Sequence, residues 1–221
     1  MKPYYKNELT TIYNGDCLEV LKTMTDNSVD LILTDPPYGI KESGKNNNRG
    51  TKKIPSTKFI DYNWDCFTPS KEHFDEMLRV GKKVIIFGGN YFIEHLNNSS
   101  CWLVWDKNNF GNDFADCELA WTNFKTAVRK YKFTWNGMLQ EDMKHKEQRY
   151  HPTQKPIELF VDILKDYNKD NGLVMDCFAG SFTTAIACEK LGMKNISVEK
   201  QKEYCDIGVE RLNKLQMRLD I

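Results

Sequence analysis

No apolar run in this chain approaches the roughly 20 residues that a helix needs to cross a bilayer. The opening residues, Met1-Lys2-Pro3-Tyr4-Tyr5-Lys6, lack the apolar core of a secretory signal, so a cytoplasmic location is expected. Cysteine never occurs as C-x-x-C. The seven thiols, at 17, 66, 101, 117, 177, 188 and 205, are odd in number and widely spaced, which argues against a disulfide framework and against a metal site. They are expected to act as small buried hydrophobes. There is no G-x-G-x-x-G, which argues against a nicotinamide dehydrogenase. Net charge is missing too. The 31 Lys and Arg balance 31 Asp and Glu, so bulk electrostatics do not announce a nucleic-acid partner.

The charge is nevertheless unevenly spread. Residues 41–58 hold six basic side chains against Glu42 alone, and residues 125–155 hold eight against three acids. Two such segments point to a polyanion footprint. At 221 residues, 40% of them hydrophobic, the chain suits one domain with a substantial core. Short apolar runs alternate with amphipathic stretches, the pattern of an α/β sheet covered by helices on both faces. Seven strands are predicted at 11–13, 31–34, 83–87, 102–105, 118–121, 173–176 and 195–199. Helices are predicted at 17–24, 69–80, 157–167, 183–191 and 202–219, the second with Thr68 as N-cap and Pro69 at its first position. Residues 41–57 and 137–154 are polar and are expected to be loops, the first of them mobile.

Asp35-Pro36-Pro37-Tyr38 follows the apolar run at 29–34 directly. Two prolines fix the backbone and remove two N–H donors, leaving the Asp35 and Pro36 carbonyls free to accept. With the Asp35 carboxylate and the Tyr38 ring, this makes a clamp suited to a flat heterocycle bearing an NH₂ group. In the C-terminal half, Leu173-Val174-Met175-Asp176-Cys177-Phe178-Ala179-Gly180-Ser181 is a strand entering a small-residue turn ahead of a helix. About twenty residues later Ile196-Ser197-Val198-Glu199 ends a second strand in a carboxylate, where a nucleoside-binding sheet places an acid for ribose hydroxyls. The turn has no lysine to cradle phosphates, so a cofactor with ribose but no phosphate fits best.

Together these motifs resemble the amino-methylating DNA methyltransferases of the permuted β group, in which the catalytic half precedes the cofactor half. Asp35-Pro36-Pro37-Tyr38 matches the catalytic motif and Asp176 to Ser181 the cofactor loop. His151-Pro152-Thr153-Gln154-Lys155-Pro156 matches the signature ahead of the helix that leads into the cofactor strand, and Asn14-Gly15-Asp16 resembles the element whose acid approaches the cofactor's adenine. One departure stands out, Phe182 where the family has glycine. It either crowds the bound methionine moiety or points into the core.

The resemblance implies a Rossmann-like, circularly permuted methyltransferase fold with a mostly parallel seven-stranded sheet. Its divisions would be a catalytic half at 1–121, a short insertion at 122–150 for DNA recognition and a cofactor half at 151–221. It implies S-adenosylmethionine as methyl donor, held by Asp16, Asp35, Lys155, Asp176, Phe178, Ala179, Gly180, Ser181, Thr183 and Glu199. The catalytic residues would be Asp35, Pro36, Pro37 and Tyr38, acting on a flipped-out base. DNA is the expected partner, met by Lys41, Lys45, Arg49, Lys52 and Lys53 and by Arg129, Lys130 and Lys132, with Trp135 either a DNA contact or a core aromatic. Asp ahead of Pro-Pro-Tyr leans to adenine N6 in the family and Ser to cytosine N4. A homodimer and a cognate restriction endonuclease are compatible with the family, though no residue demonstrates either. The alternatives are an N4-cytosine enzyme, an inactive binding derivative, or a methyltransferase of RNA or protein glutamine.

Overall fold

The computed structural model describes residues 1–40, 65, 68–109, 115–136, 139–151 and 153–219. Lys41, Lys45, Arg49, Lys52 and Lys53, with the loop expected at 41–57, lie outside the described residues. The strands are β1 (Tyr5–Lys6), β2 (Thr10–Asn14), β3 (Val29–Thr34), β4 (Gly81–Phe87), β5 (Trp102–Asp106), β6 (Cys117–Thr122), β7 (Arg129–Lys132), β8 (Trp135–Asn136), β9 (Leu139–Gln140), β10 (Val174–Asp176) and β11 (Asn195–Glu199). The helices are α1 (Cys17–Leu21), α2 (Lys71–Val80), α3 (Ile157–Tyr167), α4 (Thr183–Lys190) and α5 (Lys202–Leu219), and a 3-10 turn spans Gly89–Tyr91.

Nine strands form one sheet in the order β1-β2-β11-β10-β3-β4-β6-β5-β7, and β8 pairs with β9 separately. The seven strands expected from sequence are all present, but the sheet is wider, because the short strands β1 and β7 extend its two edges. From β2 to β4 all neighbours are parallel, and β6 runs antiparallel to both β4 and β5. The carboxyl ends of β10, β3 and β4 and the amino end of β6 therefore share one edge of the sheet. Ligands gather at such an edge in an open α/β sheet.

Side-chain alternation explains why helices cover both faces. Leu31, Leu33, Ile85 and Phe87 pack with α3, while Ile32, Val84 and Ile86 pack with Phe74, Met77 and Val80 of α2. A strand buried on both faces reads as an unbroken apolar run, as 31–33 does. Truncating such a side chain costs about 2–5 kcal/mol. Among the described residues no helix is long and apolar enough to cross a membrane. The described cysteines are free and all buried except Cys117.

Helix α2 starts at Lys71 with Ser70 as N-cap, two residues later than the Thr68 and Pro69 pattern suggested, and α1 ends at Leu21 rather than 24. Residues 137–154 are not wholly irregular, since β9 lies among them. Trp135 is 7% exposed and packs in the core, the second of the two readings its sequence context allowed.

Candidate functional site

Four elements bring ionisable side chains to the shared edge. Asp35 and Tyr38 follow β3, Lys155 precedes α3, Glu118 opens β6, and Lys107 follows β5. The Lys155 ammonium lies 2.6 Å from Asp35 Oδ2 and 3.1 Å from Glu118 Oε2, and donates to the Tyr38 hydroxyl at 3.3 Å. The Tyr38 hydroxyl donates in turn to Asp35 Oδ1 at 2.6 Å. Lys107 closes the chain at 2.5 Å from Glu118 Oε1, its Nζ 4.8 Å from the Trp105 ring centre. Two ammonium groups thus offset two carboxylates, which is how a largely buried set of charges avoids an uncompensated one.

The environment sets each titration. Burial would depress the pKa of Lys155, but Asp35 and Glu118 outweigh it and hold the ammonium above its ordinary value. Burial pushes Glu118 up, and Lys155 followed by Lys107 outweighs that, so its carboxyl lies below the usual range. At Asp35 burial wins over Lys155 and leaves the pKa raised. Burial, followed by the charge of Asp35, lifts Tyr38 well above the ordinary phenol value, so its hydroxyl stays a donor.

Beside this clamp lies the turn after β10. Thr34 Oγ1, at the end of β3, donates to Asp176 Oδ1 at 2.7 Å and accepts from the N–H groups of Cys177 and Phe178, both at 3.2 Å. The two motifs are therefore stitched together across more than 140 positions of chain. Asp176 is spent on this loop, since its other oxygen accepts from Thr184 Oγ1 at 2.5 Å. Burial raises its pKa to about 6. Glu199 Oε2 accepts from Gly180 N–H at 2.8 Å and Oε1 from Gln201 N–H at 2.7 Å. Its carboxyl is pushed up to about 7 by burial, against those backbone donors. Gly180 has φ +49° and open space where a side chain would project. Asp16 caps α1 through Leu18 N–H and meets His73 Nε2 at 3.3 Å, and the His73 ring lies 6.3 Å from that of Phe178.

A family model described as DNA methylase, of the N6/N4 methyltransferase type, matches residues 98–210, just over half of the chain. The chain belongs to this DNA methylase family. Among its relatives are the Type II methyltransferase M.HinfI of Haemophilus influenzae, 26% identical with 98% of this chain and 72% of the relative covered, and M2.LlaDCHI of Lactococcus lactis subsp. cremoris, 27% identical with 96% and 93% covered. Two solved structures share the fold. The PvuII DNA methyltransferase (cytosine-N4-specific) has a TM-score of 0.64 at 17% identity, with 95% of this chain and 88% of that one covered. The M1.HpyAVI–SAM complex has a TM-score of 0.56 at 23% identity, with 92% and 100% covered.

The methyl donor of this DNA methylase is S-adenosylmethionine, and the residues fit it. A raised, backbone-held carboxylate at Glu199 and an unfilled cradle at Gly180 suit a ribose approaching closely to the backbone. Phe182, the departure from the family pattern, does not fill that space. It adopts φ +64°, the left-handed backbone that glycine supplies elsewhere, while its ring is fully buried among Ile12, Ala185 and Leu212. Gly208 of α5 makes room for it, because a Cβ there would lie 2.4 Å from the ring. Gly208→Ala is therefore expected to lower stability by about 1–3 kcal/mol, read from the denaturant midpoint. An unchanged midpoint would mean that the ring can move aside.

The sequence placed Lys155 with the cofactor residues, whereas its ammonium sits in the clamp. Its carbonyl accepts from Thr183 Oγ1, just past the cofactor turn, at 3.4 Å. Glu118 and Lys107 were missed altogether. Their one local signal is charge at the end of an apolar strand, which is common on surfaces. Ser181 is held through its carbonyl by the buried Arg211 guanidinium, a second contact that no motif announced. Arg129, Lys130 and Lys132 are exposed on β7, with Lys130 3.3 Å from Asp106. Lys132 pairs with Asp106 at the functional edge, and Arg129 lies about 10 Å away toward the opposite edge.

Proposed function

We propose that this enzyme methylates the exocyclic N6 of a flipped-out adenine in DNA. The observation that carries this reading is an aspartate, not a serine, ahead of Pro36-Pro37-Tyr38, with its carboxylate anchored beside the cofactor turn. S-adenosylmethionine supplies the electrophilic methyl group. The chain's own residues do the rest. Asp35 and the Pro36 carbonyl accept the two amino protons of the base, which draws the nitrogen lone pair out of the ring and toward the cofactor turn. Acceptors fixed before the reaction stabilise the positive charge that grows on that nitrogen. Pro36 and Pro37 hold the acceptors still, and Tyr38, its hydroxyl tied to Asp35, presents a ring for stacking. No covalent enzyme intermediate is required.

On the cofactor side we assign Glu199 to the ribose hydroxyls, Asp16 and Phe178 to the adenine end, and Phe178 to Ser181 with Thr183 to the wall of the site. Asp176 holds the turn in place. Lys132 and Lys130, with the basic residues of 41–58, would meet phosphates, which gives affinity without sequence choice.

The direct test is incubation of the protein with methyl-labelled S-adenosylmethionine and unmodified mixed-sequence DNA, with nucleoside mass spectrometry. N6-methyladenine is expected, and label in N4-methylcytosine would overturn the base assignment. A pH dependence follows as well. Ribose hydroxyls donate to the ionised Glu199 carboxylate, so cofactor binding releases its proton, and affinity rises with pH up to the free value of about 7 and then levels off. In the free protein the sign is opposite. Between the ordinary carboxylate pKa and about 7 the folded state holds the extra proton, so this group's contribution to stability falls as pH rises. Glu199→Gln should flatten the affinity profile in calorimetric titrations. A wild-type profile that is already flat would remove Glu199 from the ribose site.

A further inference from the structure

We propose that Tyr91 is a second base-holding residue, so that the target base slots between the Tyr38 and Tyr91 rings. This rests on the reading of residues 35–38 as the base clamp. A flipped base has two faces, and Tyr38 can cover only one. Tyr91 already lies parallel to Tyr38, with ring centres 4.8 Å apart and planes within 14°. Parallel planes are what a flat ring needs on both sides, and offset stacking is the favoured arrangement of such rings. At 4.8 Å no third ring fits between them, so the base enters when the Tyr91 side chain swings outward.

The two rings differ in their freedom to move. The Tyr38 hydroxyl is tied to Asp35 and Lys155, and its edge meets Phe92 at 6.1 Å. Gly88, at φ +67°, approaches so closely that a Cβ there would lie 2.1 Å from the Tyr38 ring. Tyr91 instead rides on the 3-10 turn and is 47% exposed. The backbone of that turn packs tightly against β6, since a Cβ on Gly89 would lie 2.4 Å from that of Trp121. Rotation of the Tyr91 side chain is therefore the motion that opens the slot. Stacked on Tyr38, its ring shields the apolar face of Tyr38 from water. With the base inserted it covers the base's outer face.

The test compares wild type with Tyr91→Ala, Tyr91→Leu and Tyr91→Phe, using long unmodified mixed-sequence duplex DNA and methyl-labelled S-adenosylmethionine. Loss of one base–aromatic stack is expected to raise the KM for DNA about tenfold or more in the alanine and leucine variants. Tyr91→Phe should stay within about twofold of wild type, because its ring still stacks. S-adenosylmethionine affinity should be unchanged in all three. Leucine preserves apolar bulk without a π-face, so a leucine variant with wild-type KM would overturn the proposal. A lowered KM in the alanine variant would also overturn it, by marking Tyr91 as a mere competitor for Tyr38. Absence of methyl transfer by wild type would instead sink the function from which the slot is argued.

Discussion

Asp35→Ala is expected to lower the methyl-transfer rate by about two orders of magnitude or more, measured as label incorporated into DNA under saturating cofactor. The loss should fall on kcat, because the acceptor matters most when charge has built up on the amino nitrogen. The stability effect should be smaller than the catalytic one. Lys155 keeps Glu118 at 3.1 Å after Asp35 is gone, so its ammonium is not left alone in the interior. Asp35→Asn, which keeps the shape and one acceptor oxygen but not the charge, should lie between the alanine variant and wild type. An alanine variant within tenfold of wild type would show that Asp35 is not the acceptor that stabilises the transition state.

Lys155→Met should instead destabilise the protein by about 3–5 kcal/mol, the scale for breaking a buried ion pair from one side. Asp35 and Glu118 would then face one another without the cation that now lies between them. Lys107 still compensates Glu118 at 2.5 Å, so Asp35 suffers more. The deficit should depend on pH in a definite direction. Without Lys155 the folded carboxylates bind protons more tightly than in the unfolded chain, so the variant's stability falls as pH rises through their raised pKa values. The gap from wild type should therefore widen as pH rises above the ordinary carboxylate range in thermal melts. Adding Glu118→Gln to Lys155→Met should recover part of the loss, because one of the two opposed charges is removed. A gap independent of pH, with no recovery in the double variant, would mean that Lys155 contributes packing rather than charge.

These expectations concern side chains of unequal visibility in the sequence. The Asp35–Tyr38 clamp is legible because its chemistry is carried by four adjacent residues behind an apolar strand. The cofactor turn is legible for the same reason, with a strand, small residues and a helix in immediate succession. Glu118 is not legible, since one acid near the start of an apolar strand has many uses, and its partners come from β5 and from the segment before α3. Tyr91 is hidden among 12% aromatic residues, and nothing in its neighbours tells which ring it meets.

The sequence by itself determined the order of the seven inner strands and the five helices, and the letters of both motifs. The periods of burial and the chemistry of adjacent residues are local properties. Only the tertiary structure decided that Lys155 belongs to the clamp, because its bond to Asp35 spans 120 positions. It also decided that Trp135 is core and that Phe182 turns away from the cofactor turn into space left by Gly208. The physical reason is common to all three. Composition and spacing fix which side chains are available, but the direction in which a side chain projects, and the charge or ring it meets there, depend on elements that the sheet brings together from distant parts of the chain.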